Sequence, residues 1–235
     1  MAAGTAPTLE FERALAAKGR VLVAGCDEVG RGSLAGPVSV GVVVIDPSSV
    51  PLLDGVRDSK LLSAPVRDAL VPQISAWALA SGVGHASAAE IDAIGLMDAL
   101  RLAGSRALDA IAATGVVPSI VLLDGNHDWL SIPAQPALLF DGFGSLDGTD
   151  DDGGPAFGAA MPVVTKIKAD MTCLSVAAAS VLAKVERDGI MAALDEENPQ
   201  FGWGVNKGYA TAAHRAAITE HGPTDHHRKS WRLTA

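Results

Sequence analysis

The sequence is poor in the features that mark secreted and membrane proteins. Only two of its 235 residues are cysteines, too few for a disulfide framework, so a reducing compartment is the simpler expectation. No apolar run approaches the ~20 residues that cross a bilayer. The N-terminus also lacks a basic region followed by an apolar stretch. We therefore expect a cytoplasmic protein with no membrane partner.

Basic residues are also scarce, with 18 Lys and Arg against 27 Asp and Glu and a net charge of −9. Taken globally, this argues against nucleic-acid binding, for which a basic footprint is expected. The charge is uneven, however, since residues 201–235 carry five basic side chains against two acidic ones, and 141–152 carry five aspartates and no basic residue. Metal sites are acidic until the ions bind, so this charge does not exclude a phosphate substrate.

The sequence contains several apolar runs that are followed by acidic residues. The runs 21–24 and 120–123 read as buried strands, and they lead to Asp27-Glu28 and to Asp124. A third run, 162–167, comes shortly before Asp170. Strands that alternate with helices indicate an α/β fold, whose ligands bind at the carboxyl ends of the strands.

The remaining pattern predicts one more pair of strands and several helices. A strand at 37–45 is expected to pair antiparallel with the first, and Ser87 with Glu90 forms a capping box. Ser63 is expected to cap its helix. Helices are expected at 7–18, 63–80, 94–113, 173–197 and 210–221, and a short strand at 83–87.

Adjacent strand residues point to opposite faces, so Asp27 and Glu28 can share a site only where the strand ends or is distorted. Gly30 and Gly32 supply that freedom. On their own, the two carboxylates also fit a solvated turn at a strand end. Four converging carboxylates are costly without cations, whereas two divalent ions remove the repulsion and form a clamp for phosphodiester cleavage. An all-oxygen site suits Mg²⁺ or Mn²⁺.

Five motifs, in the same order along the chain, resemble ribonuclease HII, the type 2 ribonuclease H, and are similar to its actinobacterial members. The resemblance covers about residues 20–232. The motifs are Asp27-Glu28-Val29-Gly30-Arg31-Gly32 with Leu34-Ala35-Gly36-Pro37-Val38, Asp58-Ser59-Lys60, Leu123-Asp124-Gly125-Asn126, Lys168-Ala169-Asp170 through Lys184, and Lys207-Gly208-Tyr209 through Arg228.

The resemblance implies a ribonuclease-H-like α/β fold: a five-stranded mixed sheet flanked by helices, with a helical C-terminal portion. We expect a single type 2 ribonuclease H domain over 1–235, with its core at about 20–197 and the helical portion at about 198–232. An acidic insertion at about 141–160 has no assigned role. We expect a monomer.

The implied activity is endonucleolytic hydrolysis of RNA in RNA/DNA hybrids, with incision 5′ to single ribonucleotides embedded in duplex DNA. Products carry 3′-hydroxyl and 5′-phosphate ends, a chemistry that removes ribonucleotides from DNA. By motif match, two Mn²⁺ or Mg²⁺ ions are held by Asp27, Glu28, Asp124 and Asp170. The 2′-hydroxyl is read by Gly30, Arg31 and Gly32, and Tyr209 packs against the sugar at the RNA–DNA junction.

Several further residues have two interpretations each. Lys60, Ser180 and Lys184 are candidate phosphate contacts, and the alternative is a solvated lysine or a helix hydroxyl bonded to backbone. Arg228 and Lys229 are candidates for contact with the duplex backbone.

Other positions bear on the loop and on reactivity. His226-His227 fits a structural or DNA-facing role better than a metal pair. Ser33 stands where the resembled family usually has proline, which predicts a slightly looser loop. Cys26 and Cys173 lie near the carboxylates in sequence, so oxidation could join or modify them; otherwise they are small buried hydrophobes.

Two other functions compete with a nuclease. A P-loop phosphotransferase is disfavoured because its glycine-rich loop with Lys and Ser/Thr is absent. A hybrid-binding module without catalysis is disfavoured because a binder gains nothing from buried, mutually repelling carboxylates.

Overall fold

A mixed five-stranded sheet forms the centre of the computed structural model, which describes residues 6–19, 21–132 and 157–234. The strands are β1 (Val23–Val29), β2 (Val38–Ile45), β3 (Ala80–Ala86), β4 (Ile120–Asp124) and β5 (Val163–Lys166), in the order β3-β2-β1-β4-β5. The first three strands pair antiparallel, whereas β4 lies parallel to β1 and to β5. The expected mixed sheet and the antiparallel β1–β2 pair are confirmed.

The described helices are α1 (Glu10–Ala16), α2 (Ala64–Trp77), α3 (Ala88–Ile94), α4 (Leu96–Ala112), α5 (Ala169–Thr172), α6 (Leu174–Glu197), α7 (Trp203–Asn206) and α8 (Ala212–His221), with 3-10 turns at Ser59–Leu61 and Pro199–Phe201. The capping box of Ser87 and Glu90 is confirmed at the start of α3. Ser63 occupies the N-cap position of α2 as expected, but its side chain makes no capping hydrogen bond among the described residues.

Two long helices cover the two faces of the sheet. Helix α6 packs across β1 and β2 on one face, and α4 packs across β2 and β3 on the other. Glycines permit the close approach, since a Cβ on Gly41 would overlap the Ala179 carbonyl of α6 and a Cβ on Gly84 would overlap the Ala103 carbonyl of α4. Both long helices are thereby held close to the sheet, with β1 between β2 and β4.

The C-terminal segment packs back on the loop that follows β1. Leu34 and Ala35 of that loop lie in one buried cluster with Phe201 and Trp203. Helix α8 contributes Ile218 to the same cluster. This cluster brings residues more than 160 positions apart in sequence to the end of β1. Among the described residues, no helix is long and apolar enough to span a bilayer.

The two cysteines lie on opposite faces of the sheet. Cys26 packs in the cluster beneath α4, and Cys173 packs with Val23 and Leu122 on the α6 face. Both thiols are free and buried. Burial raises the pKa of both, to about 11 for Cys173. A bond between them is therefore incompatible with this sheet, and the small-hydrophobe interpretation fits.

Most of the acidic insertion predicted at 141–160 lies outside the described residues, which resume at Phe157. Its role and the domain boundaries stay predictions.

Candidate active site

The carboxyl ends of β1 and β4 place two aspartates next to each other. In this parallel pair Cys26 lies opposite Leu123, so the next positions on the two strands are Asp27 and Asp124. Asp27 is 6% exposed. In the part of the chain that the structure describes, no donor forms a hydrogen bond to its carboxylate, although Asp124 has two. Strand register alone therefore creates a pair of neighbouring carboxylates.

Strand β1 does not end at Asp27, contrary to the expectation from sequence. It continues to Val29, paired with β2 throughout, while its pairing with β4 stops at Cys26. The free edge beyond Cys26 is what opens the site. Glu28 lies near enough to Asp27 and Asp124 for their charges to interact. Its Oε1 forms an ion pair with Arg31 at 3.5 Å, and its Oε2 is buried without a hydrogen-bond partner among the described residues.

Asp170 joins this edge through the short helix α5. The backbone N–H of Ala169 donates to Asp124 Oδ1 at 2.6 Å, and that of Asp170 donates to the same oxygen at 3.4 Å. Asp124 thus binds the first turn of α5 and sets the position of Asp170, which is 6% exposed.

The electrostatics of the cluster reflect this crowding. Burial, followed by the charges of Glu28 and Asp124, raises the pKa of Asp27 well above its ordinary value. Burial likewise raises the pKa of Glu28 and of Asp170, with the charge of Asp124 as a further cause for both. Three of the four carboxyl groups therefore lack enough positive charge around them.

The donor set fits a hard divalent cation, because it is all oxygen and includes Glu28 Oε2, which has no hydrogen-bond partner within the described ranges. Among residues 6–19, 21–132 and 157–234, no three His, Cys, Asp or Glu side chains already enclose a point at ligand distance. Binding would thus draw together carboxylates that now repel one another.

Lys60 lies at the rim of the cluster, on the 3-10 turn after Asp58. Its Nζ is 3.5 Å from Asp170 Oδ2 and 3.8 Å from Asp58 Oδ1, and its side chain is 73% exposed. Burial opposes its charge, but the carboxylates around it, Asp58 first, raise its pKa. Lys60 is therefore a charged, accessible group next to the site, as a phosphate contact requires. Asp58, 6% exposed, belongs to the motif Asp58-Ser59-Lys60, but the sequence predicted no role for it.

The loop after β1 is built around two different glycines. Gly30 has a φ of +83°, and a Cβ there would overlap the guanidinium of Arg187. Gly32 has an ordinary φ, and no atom of residues 6–19, 21–132 or 157–234 lies within 4 Å of the position that a Cβ would take there. The protein's own contacts thus explain Gly30 and leave Gly32 with an open face.

Two buried arginines hold this loop from below. Arg228 donates to the carbonyls of Gly30 at 2.6 Å, Arg31 at 2.9 Å and Gly36 at 3.2 Å. Arg187 donates to Pro37 O, Ser33 Oγ and Ala35 O on the same loop. The prediction that Arg228 touches the duplex is wrong, because its side chain is fully buried. Ser33 ties the loop to Arg187 rather than loosening it.

Tyr209 stands beside this loop, 38% exposed. The preceding Gly208 accepts hydrogen bonds from Leu34 N at 2.8 Å and Ala35 N at 3.3 Å. The carbonyl of Tyr209 accepts from His214 Nδ1 at 2.9 Å, and His214 in turn contacts buried His227. Loop and tyrosine therefore form one connected unit, with the His227 side chain in a structural role.

Ser180 is not a phosphate contact in this structure. Its hydroxyl is 1% exposed, donates to Ala177 O at 2.8 Å and accepts from Ser59 N at 3.1 Å. The helix-hydroxyl alternative applies, and the bond to Ser59 supports the turn that carries Lys60.

The two remaining lysines are engaged in ion pairs. Lys184 pairs with Asp188 at 2.8 Å, and its side chain is 17% exposed. Lys229 is exposed and pairs with Asp225 at 2.7 Å. Neither approaches the four carboxylates through a contact in the described residues.

Arg187 is the main residue that sequence reasoning missed. It falls on the buried stripe of α6 with Ser180, Ala183 and Met191, at helical spacing. A charged residue on an otherwise small and apolar stripe is the signal that could have identified it, since buried charges need partners.

Comparison with known proteins places this geometry in a family. Residues 24–234 match the family model described as Ribonuclease HII. Ribonuclease HII of Streptomyces avermitilis is 42% identical over 226 residues, covering 96% of this chain and 83% of that protein. The Streptomyces griseus enzyme is 43% identical, covering 96% and 84%.

A solved structure agrees with these relatives. The ribonuclease H2 of Pyrococcus horikoshii matches with a TM-score of 0.65 and 25% identity, covering 90% of this chain and 94% of that one. The chain therefore belongs to the ribonuclease HII family and is a metal-dependent endoribonuclease, a ribonuclease H.

Proposed function

We propose that this enzyme incises duplex DNA 5′ to a single embedded ribonucleotide, and cleaves the RNA of RNA/DNA hybrids, with two divalent ions at the carboxylate cluster. The observation that carries the proposal is the contrast inside one loop. Gly30 is required by the protein's own packing, whereas the Cβ position of Gly32 is open among the described residues. Gly32 follows Glu28 by four positions in the sequence.

Asp27, Glu28, Asp124 and Asp170 would hold the ions. Mg²⁺ or Mn²⁺ fits an all-oxygen donor set that keeps room for water and phosphate. When bound, two such ions activate a water and stabilise the leaving oxygen of a phosphodiester. The protein's own part is to hold the oxygens in place: β1 and β4 fix two of them by register, and Asp124 orients Asp170 through α5.

The loop at Gly30, Arg31 and Gly32 would read the 2′-hydroxyl, the feature by which a protein tells RNA from DNA. The carbonyls of Gly30 and Arg31 are already bonded to Arg228. The groups left for the ribose are therefore the exposed backbone around Gly32, where the absence of a side chain lets a sugar approach.

Tyr209 would pack against the sugar at the RNA–DNA junction, since its ring is exposed beside this loop. Lys60 would contact a phosphate near Asp170. Products with 3′-hydroxyl and 5′-phosphate ends, and a role in removing ribonucleotides from DNA, follow from this reaction.

The test is incubation of a labelled duplex containing one ribonucleotide with the protein and Mg²⁺ or Mn²⁺. We expect one cut 5′ to the ribonucleotide and a 3′-hydroxyl end, and no cut in the all-DNA duplex. The matched variant is Asp124→Asn, which keeps the acceptor for Ala169 N and removes the charge. It should bind the duplex but lose at least ~10³-fold of the rate, as expected when transition-state charge stabilisation is lost.

The outcomes separate the alternatives. A protein that binds hybrids without cutting them would be the non-catalytic binding module. Cleavage of long hybrids without incision at the single ribonucleotide would contradict the specificity proposed here, while leaving the ribonuclease H activity in place.

A further inference from the structure

Arg187 joins the two parts of the proposed ribose-recognition surface with one side chain. Its Nε donates to Pro37 O at 2.8 Å and its Nη2 donates to Ser33 Oγ at 2.9 Å, both on the loop after β1. Its Nη1 donates to Lys207 O at 3.0 Å, two residues before Tyr209. The guanidinium therefore links loop 30–37 to the segment that presents the tyrosine.

The same group lies directly against both recognition elements. Its Cζ is 5.8 Å from the centre of the Tyr209 ring, within the range of a cation–π contact. On the other side, only the absence of a Cβ at Gly30 makes room for it. Any shift of this guanidinium would change the space between loop and ring.

The charge of Arg187 makes its position costly and therefore specific. The side chain is fully buried, and no carboxylate in the described ranges lies within ion-pair distance of it. Its partners are backbone carbonyls and one hydroxyl, to which a planar fork donates in several directions at once. Lysine carries the same charge but places all its donors on one atom, so it cannot hold the loop and Lys207 together.

We infer that Arg187 is a positioning residue for ribonucleotide recognition, which sets the spacing between the backbone at Gly30–Gly32 and the ring of Tyr209. The inference rests on the proposed function. It assigns Arg187 no contact with the substrate; the residue acts through the loop and the tyrosine.

The experiment measures kcat and KM of Arg187→Lys on two substrates, a duplex with one ribonucleotide and a continuous RNA/DNA hybrid. We expect kcat on the single-ribonucleotide duplex to fall about tenfold, since small misplacements near the reacting group are expensive. The hybrid, which offers many ribose positions, should lose no more than about threefold. The control is Arg101→Lys, another largely buried arginine bonded to a carbonyl, that of Ser131; both substrates should keep their wild-type rates.

A double-mutant cycle with Tyr209→Ala separates positioning from general weakening of the fold. If Arg187 acts through the tyrosine, Arg187→Lys in the Tyr209→Ala background should leave the ratio of the two substrates nearly unchanged. Equal losses on both substrates, or independent effects of the two substitutions, would overturn the inference.

Two further outcomes have fixed meanings. If Arg187→Lys shows no thermal unfolding transition and is therefore unfolded, Ser33→Ala replaces it, because this variant removes one hydrogen-bond partner of Arg187. It should shift the ratio of the rates on the two substrates in the same direction by a smaller factor. An unchanged ratio rejects the inference. If the wild-type enzyme fails to incise the single-ribonucleotide duplex, the proposed function itself is wrong. If it incises and Arg187→Lys keeps the wild-type ratio, only the role of Arg187 is wrong.

Discussion

The carboxylate cluster and the loop that follows it share one strand but satisfy their charges in opposite ways. Among the residues that the structure describes, the buried Asp27 carboxylate has no hydrogen-bond donor, and Glu28 Oε2 has no hydrogen-bond partner. The loop that begins at Gly30 rests on Arg228 and Arg187, whose guanidinium groups donate to backbone carbonyls and, for Arg187, also to the Ser33 hydroxyl. The carboxylate cluster thus needs positive charge from outside the chain, whereas the charges beneath the loop are satisfied by the chain's own hydrogen-bond acceptors.

This difference separates ligand binding from recognition. Carboxylates that repel one another lower the stability of the ion-free protein. Cations relieve this repulsion, so the site binds them strongly. A recognition surface needs one fixed shape before the substrate arrives, because ordering it during binding costs affinity. The structure uses buried positive charge to fix that shape.

The largest expected effect tests this contrast with two substitutions of opposite sign. Arg228→Met should lower the free energy of unfolding by at least about 2 kcal/mol, because it leaves buried carbonyls without their charged donor. Asp27→Asn should raise it in EDTA, since each unit of pKa elevation represents about 1.4 kcal/mol of disfavoured charge. Urea titrations of both variants in EDTA measure the two changes. Destabilisation by Asp27→Asn would mean that the carboxylate is satisfied within the fold.

Next in size is the comparison of Gly30→Ala with Gly32→Ala. Gly30→Ala forces a side chain into a left-handed conformation and into Arg187, so it should cost about 1–3 kcal/mol of stability. The added methyl group of Gly32→Ala meets no described residue within 4 Å and should change stability by less than about 0.5 kcal/mol. We nevertheless expect Gly32→Ala to slow incision at a single ribonucleotide. Unchanged incision by a well-folded Gly32→Ala would remove Gly32 from the recognition surface.

The smallest expected effect is the pH dependence of stabilisation by Mg²⁺. The folded-state pKa values of Asp27 and Glu28 are raised, so the contribution of these two groups to ion-free stability is greatest at low pH and is lost as pH rises above about 4. Bound cations favour the ionised carboxylates, so the gain in unfolding temperature from Mg²⁺ should be larger at pH 8 than at pH 5.5. Buried His214 and His227 titrate with and without the ion, so the difference cancels their contribution.

Asp27→Asn is the control for that measurement. It should reduce the gain from Mg²⁺ and flatten its pH dependence. Equal gains at both pH values in the wild type would show that the ion does not act through these carboxylates.

Most of the strands and helices could be predicted from the sequence, because they depend on local patterns. Apolar runs marked β1, β2 and β4, and the Ser87–Glu90 capping box marked the start of α3. Other local assignments failed where contacts between distant segments decided. Strand β1 runs past Asp27 because β2 pairs with it to Val29, and no property of the strand itself indicates where its partner stops.

The sequence alone therefore determined the family, the order of the five strands and the four carboxylates, because each is written in short motifs and in periodicity. Only the tertiary structure decided what the charged side chains do. Arg228 and Ser180 looked like contacts for a nucleic acid, yet both are buried and hold loops in place. Burial is a property of the packed whole, and it converts the same chemical group from a ligand for the substrate into a support for the site.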